Sequence, residues 1–399
     1  MSPPVRLRPL SVVPEGDEVL VGDPAAGTFV SIPAVGGVVI AALQRGATLE
    51  EAAAEAEEFA GQPVNVPAFV ATLGELGFLA DETENPAAPE PVRTAPIQAR
   101  RWMSGVRQET VRPFFGPVAW ACYAACLLFT VGVFALRPGL LPHPADDALA
   151  FDDTGLSALA LVPFMWFSVA SHECGHWLAA RALGIQTRFG VDRRMVMLVF
   201  ETDLTQLWTV PRRARYGPLL AGLAIDSVML ALLLCARLLS PPPGVDSLLA
   251  AWVFVKVVQM LWQCMVFLRT DLYAVLVNAL GCRDLWRVKS LLLRRAFGRL
   301  TAAEAEELAA AAEADLRAGR WFRWVWLAGF LGVAAWCCLL LLPVVVEVLG
   351  WASEGLAEGP LTAAFWYSLL CAGLLLGPET LALVLAATEY SRRAAARRS

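Results

Sequence analysis

The sequence predicts an all-α polytopic membrane protein with a small α+β domain at its N-terminus, and three observations lead there. Of 399 residues, 57% are hydrophobic and only 17% charged, with a mean hydropathy of +0.55; that is too apolar and too charge-poor for an ordinary soluble chain. Apolar segments recur at roughly 114–136, 157–183, 217–239, 247–270, 322–346 and 361–388, each near or above the ~20 residues a helix needs to cross a bilayer. Residues 1–80 hold no such segment and alternate short strand-like and helix-like stretches instead.

In the N-terminal stretch, RLRPL, EVLVG (18–22) and TFVSI (28–32) read as strands separated by the turn formers Gly16-Asp17 and Asp23-Pro24-Ala25-Ala26-Gly27. Helices follow. VGGVVIAALQR (35–45) is apolar on one side, Thr48-Leu49-Glu50-Glu51 is a capping box for a helix closed by Gly61, and NVPAFVATLGELG (65–77) has Pro in its first turn and Gly at its end. Three strands before three helices predict a winged-helix module over 1–80, near the lower size limit for a self-sufficient core. The opening MSPPVRLRPL has no apolar core of a signal peptide, which places this domain in the cytoplasm. Residues 81–113 begin acidic, Pro-rich and aperiodic, and read as a linker to the membrane domain, 114–399.

Arginine orients the six expected spans. RRWMSGVR precedes the first, RALGIQTRFGVDRR and PRRARYG lie between the second and third, RDLWRVKSLLLRR between the fourth and fifth, and SRRAAARRS after the last. These are cytoplasmic by the positive-inside rule, so both termini are inside. Loops 137–156, 240–246 and 347–360, with one arginine among them, are external. Segment 301–318 opens with a second capping box, Thr301 and Glu304, and reads as a solvated connecting helix; 186–210 alternates in part and reads as a hairpin at the membrane surface. Of 32 basic residues only Lys256 and Lys289 are lysines, a bias associated with GC-rich bacterial genomes and hence with a bacterial plasma membrane. The net charge of −5, and the few arginines of 1–80 (Arg6, Arg8, Arg45), leave nothing to grip phosphates, so nucleic acid is excluded as a partner. Eight of the nine cysteines sit in apolar stretches and read as small buried hydrophobes.

The chemistry is carried by SHECGHW, residues 171–177, inside the second apolar segment. His172 and His176 are four apart and share a helix face, so both imidazoles point at one ion, with Glu173 beside them. Zinc takes neutral imidazoles and keeps a position open for water, whose pKa it lowers to about 7; a neighbouring glutamate then moves the proton. The bland reading, two histidines and a glutamate satisfied by neighbours in a buried helix, is weak here because ionisable groups within a span mark function. His143, in a Pro-rich external loop, reads as a surface residue.

HECGHWLAARALGI resembles the H-E-x-G-H helix of the site-2 protease family of intramembrane zinc metallopeptidases. The resemblance implies a site-2 protease-like core, zinc, Glu173 as general base and acid, and a third ligand from an aspartate on a later span. The match for that ligand is Asp271 in Phe267-Leu268-Arg269-Thr270-Asp271-Leu272-Tyr273, with Leu272 where the family has Gly. At a rise of ~1.5 Å per residue, His172 and His176 lie roughly 24 and 30 Å down their span and Asp271 roughly 36 Å down a continuous fourth one. Asp226, in AGLAIDSVML, lies nearer the histidines in depth and is the second choice; Asp203 is the third. Asp226 and Lys256 also read as a pair across spans, and Glu379 beside Pro378 as either lining a path or packing.

The strand–turn–strand and helices of 5–79 are similar to the PqqD-type domain that recognises leader peptides of ribosomally made natural products. The resemblance implies that a peptide adds as a strand beside Thr28, Phe29, Val30, Ser31 and Ile32, facing Val66, Phe69, Val70 and Leu73 of the third helix. Together these expectations describe a zinc endopeptidase that cleaves a leader-bearing precursor near the cytoplasmic leaflet, beside peptide-modifying enzymes. Two alternatives remain: proteolysis of a transmembrane regulator such as an anti-sigma factor, and a non-proteolytic peptide carrier or immunity protein with a structural metal.

Overall fold

The computed structural model describes residues 5–16, 18–24, 26–80, 106–194, 197–336, 338–339 and 342–396. The chain divides into two compact units. One gathers the described residues within Met1–Gln98 with Gly184–Arg188 and Asp203–Tyr216; the other gathers those within Ala99–Leu183, Phe189–Thr202 and Gly217–Ser399. The first unit therefore takes in two segments beyond 1–80, while 81–105, most of the expected linker, lie outside the described residues.

In the first unit, β1 (Ser11–Glu15), β2 (Glu18–Asp23) and β3 (Thr28–Pro33) form an antiparallel sheet in the order β1-β2-β3. Val13 faces Leu20 across β1–β2, and Val21 faces Val30 across β2–β3. α1 (Ala34–Gln44), α2 (Leu49–Ala60) and α3 (Val66–Glu75) follow. The capping box of Thr48 and Glu51 is formed, and Gly61, at φ 66°, ends α2 in the left-handed conformation that favours glycine. The helices close over the sheet through Val21, Ile40, Leu73 and Phe78, and pack on each other through Val39, Leu43, Ala52, Ala56 and Val66. Arg215 is buried; its guanidinium pairs with Glu15 of β1 and stacks on Trp208, 4.8 Å from the ring centroid.

The second unit is helical. After a short turn of helix, α4 (Gln108–Val111), come α5 (Pro117–Leu136), the short α6 (Pro144–Asp147), α7 (Thr154–Ala182), the hairpin β4 (Arg188–Arg194) and β5 (Met197–Asp203), then α8 (Arg212–Leu238) and α9 (Pro243–Gln263). α5, α7, α8 and α9 are long and apolar enough to cross a membrane. They turn large apolar side chains outward: Val118, Leu128 and Leu232 are 79%, 71% and 65% exposed, as lipid-facing residues are in a protein without its bilayer. α10 (Asp271–Leu280), α11 (Leu285–Ala296), α12 (Ala302–Ala309), α13 (Glu313–Trp336), α14 (Leu342–Ala357) and α15 (Ala363–Ala396) complete the chain.

Three expectations change. The fourth apolar segment is not one helix: α9 stops at Gln263, a 3-10 turn covers Val266–Leu268, Arg269 takes φ 61°, and α10 starts at Asp271. Segment 301–318 is α12 plus the start of α13, with Leu308 and Asp315 buried, so it packs rather than merely connects. Asp315 accepts the backbone N–H groups of Arg283 and Asp284, fastening α13 to the entry of α11. The stretch 347–360, expected as a loop, is largely the end of α14. Segments 322–346 and 361–388 fall on α13, α14 and α15, which are not among the four helices above; residues 337, 340 and 341 lie outside the described ones.

Candidate metal centre

Spacing on α7 and close packing by α8 create the centre. The four-residue interval sets His172 and His176 on one face, and both are buried, 6% and 2% exposed. Glycines let α8 approach them. A Cβ on Gly175 would lie 2.9 Å from the Ala221 carbonyl oxygen, and one on Gly222 would lie 2.4 Å from His176 Nε2 and 2.5 Å from His172 Nε2. Small residues at such a crossing are what let two membrane helices touch backbone to side chain.

Asp271 arrives from the break in the fourth segment. Gln263, the last residue of α9, accepts from the Thr270 hydroxyl with its backbone oxygen (2.7 Å) and from the Asp271 N–H with its side-chain oxygen (3.2 Å). The loop folds back, and Asp271 Oδ2 lies 2.7 Å from His172 Nε2 and 3.1 Å from His176 Nε2; the two nitrogens are themselves 3.1 Å apart. The mismatch in depth between Asp271 and the histidines came from assuming one continuous helix through Thr270. The break removes it.

The outer ring nitrogens decide what these atoms are. His176 Nδ1 lies 2.6 Å from the Pro218 carbonyl oxygen; a carbonyl only accepts, so Nδ1 carries a proton, and in the neutral ring Nε2 is then the nitrogen with the lone pair. His172 Nδ1 lies 2.7 Å from Asp226 Oδ2, which orients that ring the same way. With both rings neutral, two imidazole lone pairs and a carboxylate oxygen converge, an arrangement that a cation would stabilise. Donors about 2 Å from a tetrahedral zinc are about 3.3 Å apart; two of the separations, 3.1 and 3.1 Å, come close to that spacing, and the third, 2.7 Å between His172 Nε2 and Asp271 Oδ2, is shorter. Imidazoles held by a carboxylate and a carbonyl on their far nitrogens are also the usual outer support of a zinc site.

Glu173 is half-buried beside this triangle, and ligand atoms of His172, Glu173 and His176 all lie within 4.8 Å of one another. Its backbone oxygen accepts from Thr202 Oγ1 of β5 at 2.9 Å, which fixes the expected hairpin to the motif helix. Asp226 sits on the far side of His172, away from the converging atoms, and its other oxygen accepts from Lys256 Nζ at 2.7 Å. Asp203 receives the Thr205 N–H and belongs to the first unit. His143 is exposed, and the Glu379 side chain lies outside the described residues.

Pro218, Gly222 and Gln263 escaped the sequence reading, although 218, 222 and 226 share the four-residue spacing of the motif they support. Gln263 also brings its amide nitrogen to 3.4 Å from His172 Nε2. Cys371 is buried as expected, and so is Cys282, which the sequence sets near an edge, whereas Cys122, Cys235, Cys264 and Cys338 are exposed on the helical surface.

In the first unit, β3 is an edge strand: Thr28 is exposed, and Phe29, Val30 and Ser31 are half-buried. On α3, Phe69 and Val70 are half-buried, but Val66 and Leu73, 0% and 1% exposed, are spent on the domain's own core. Ile32 and Phe69 both close on Gly36, where a Cβ would meet them at 2.8 and 3.1 Å. No protein-family model, curated protein or solved structure matches the chain.

Proposed function

We propose that this protein is a zinc endopeptidase of a bacterial plasma membrane, six-spanning with both termini cytoplasmic, that cleaves a leader-bearing precursor peptide near the cytoplasmic leaflet. The observation that carries the reading is the convergence of His172 Nε2, His176 Nε2 and Asp271 Oδ2 within 3.1 Å, with Glu173 alongside. These three atoms would hold the zinc. When bound, a zinc with an open position polarises a peptide carbonyl and acidifies water.

The protein's own residues do the remaining work. Glu173, adjoining the ligands on α7, takes the proton of the attacking water and returns it to the leaving amine. Asp226 and the Pro218 carbonyl keep both imidazoles in the ligating tautomer. The apolar walls of α7, α8 and α9 limit water around the reacting groups, which strengthens every charge interaction there. Among the described residues β3 is an edge strand, and that edge would offer main-chain hydrogen bonds to an extended leader, with Phe69 of α3 near Ile32 for apolar contact. A tethered capture domain raises the local concentration of a dilute substrate.

The test compares cells expressing the wild-type chain with cells expressing Glu173→Gln. Purified protein of both kinds should hold one zinc, while new peptide termini should appear only with the wild type. Termini within a transmembrane regulator would redirect the substrate assignment, and equal peptide handling by both proteins would leave the metal structural and remove the protease reading.

A further inference from the structure

Asp226 and Lys256 lie in helices long and apolar enough to cross a membrane and are 2% and 1% exposed. Each oxygen of Asp226 has its own partner: Oδ2 meets His172 Nδ1 and Oδ1 meets Lys256 Nζ, both at 2.7 Å. Charges at such depth are costly even when paired. The neighbouring histidine shows that the cost is avoidable, because His176 is oriented by a neutral carbonyl, that of Pro218. Satisfying the Nδ1–H of His172 therefore does not require a carboxylate, still less a carboxylate with its own lysine.

A carboxylate adds a stronger pull on the Nδ1 proton, which raises the basicity of the ligating nitrogen across the ring. On its own it would be a poor support. A carboxylate free to rotate could turn Oδ2 off the ring, and its unbalanced charge would be left in an apolar interior. The ammonium on α9 corrects both faults, since it pins Oδ1, so that Oδ2 stays on His172, and it cancels the added charge. We infer that Lys256 is a positioning residue of the metal centre, acting through Asp226 to hold His172 in its ligating orientation. The inference rests on the reading of His172, His176 and Asp271 as zinc ligands.

The experiment uses the full chain in detergent: wild type, Lys256→Met, Asp226→Asn and the double variant. Zinc affinity is measured by chelator competition, and the visible spectrum of each cobalt-loaded protein reports the ligand geometry. Wild type should hold one zinc. Lys256→Met should weaken zinc about 10–100-fold, the usual effect of losing an outer-shell partner, and shift the cobalt spectrum. Because the lysine acts through the aspartate, the double variant should be no weaker than Asp226→Asn alone. Lys256→Gln, which keeps a donor for Oδ1 without the charge, is read in place of the methionine variant if that fails to accumulate; a smaller loss is expected.

Wild-type affinity and an unshifted spectrum in the lysine variant, whatever its thermal stability, would overturn the inference and reduce the pair to a helix clamp. Additive losses in the double variant would overturn it too, while zinc bound by the wild type left the metal centre standing. A wild-type chain that binds no zinc overturns both.

Discussion

Gly222 of α8 lies so close to His176 of α7 that a Cβ added to it would stand 2.4 Å from the imidazole Nε2. The contact falls on the nitrogen that faces Asp271, so a methyl group there crowds the three converging atoms. Gly222→Ala should lower zinc affinity at least tenfold, the scale on which small displacements of ligands act. The protein should still enter the membrane as a monodisperse species by size exclusion. Unchanged zinc affinity would mean that the two helices separate at no cost to the site.

The aspartates make a second discriminating set. Asp271 Oδ2 lies within 3.1 Å of Nε2 of both histidines, whereas Asp203 receives the backbone N–H of Thr205. Asp271→Ala should lose zinc by more than the ~100-fold that bounds an outer-shell defect, and Asp203→Ala should bind it as wild type does. Chelator competition on the two purified variants decides this.

How far the site could be read in advance follows from the same residues. His172, Glu173 and His176 were legible because four-residue spacing is a local property of any helix. The nearness of Asp271 to the histidines was suggested by a partial resemblance, with Leu272 in place of Gly, but not by depth, because depth depends on the left-handed turn at Arg269, a non-glycine whose φ of 61° no periodicity reveals. Pro218, Gly222 and Gln263 were invisible, since their roles arise where one helix meets another. The first unit divides similarly. Capping boxes and turn residues marked its elements, but whether Val66 and Leu73 faced a ligand or the core was a question of packing, and the core took them.

Of the four α3 residues expected to face a peptide, Phe69 and Val70 are the two that keep some exposure while packing on the core. Val70→Glu places a charge where an apolar contact is expected. A lost anchor of this kind costs about 1–2 kcal/mol, so KM for the precursor should rise roughly 5–30-fold. Zinc content and kcat should stay at wild-type values. A fall in kcat with unchanged KM would remove α3 from the capture surface.

Lys289 of α11 supplies a dependence on pH outside the candidate spans. It is 3% exposed, and its ammonium lies 3.9 Å from the ring centroid of Trp286 and 3.7 Å from that of Trp326. Burial, with repulsion from Arg269, pushes it from the ordinary 10.5 down to about 8, whereas the two indole faces favour the charged form. The folded state thus binds fewer protons at this group than the unfolded state between about 8 and 10.5, and its contribution to stability grows as pH rises through that window. Below it the ammonium is present in both states and the cost of burying it is felt in full. The difference in tryptophan emission between wild type and Lys289→Met should titrate with a midpoint below 10.5 and not under about 8. A midpoint at the ordinary lysine value would show that the indole faces fully offset burial and the Arg269 charge.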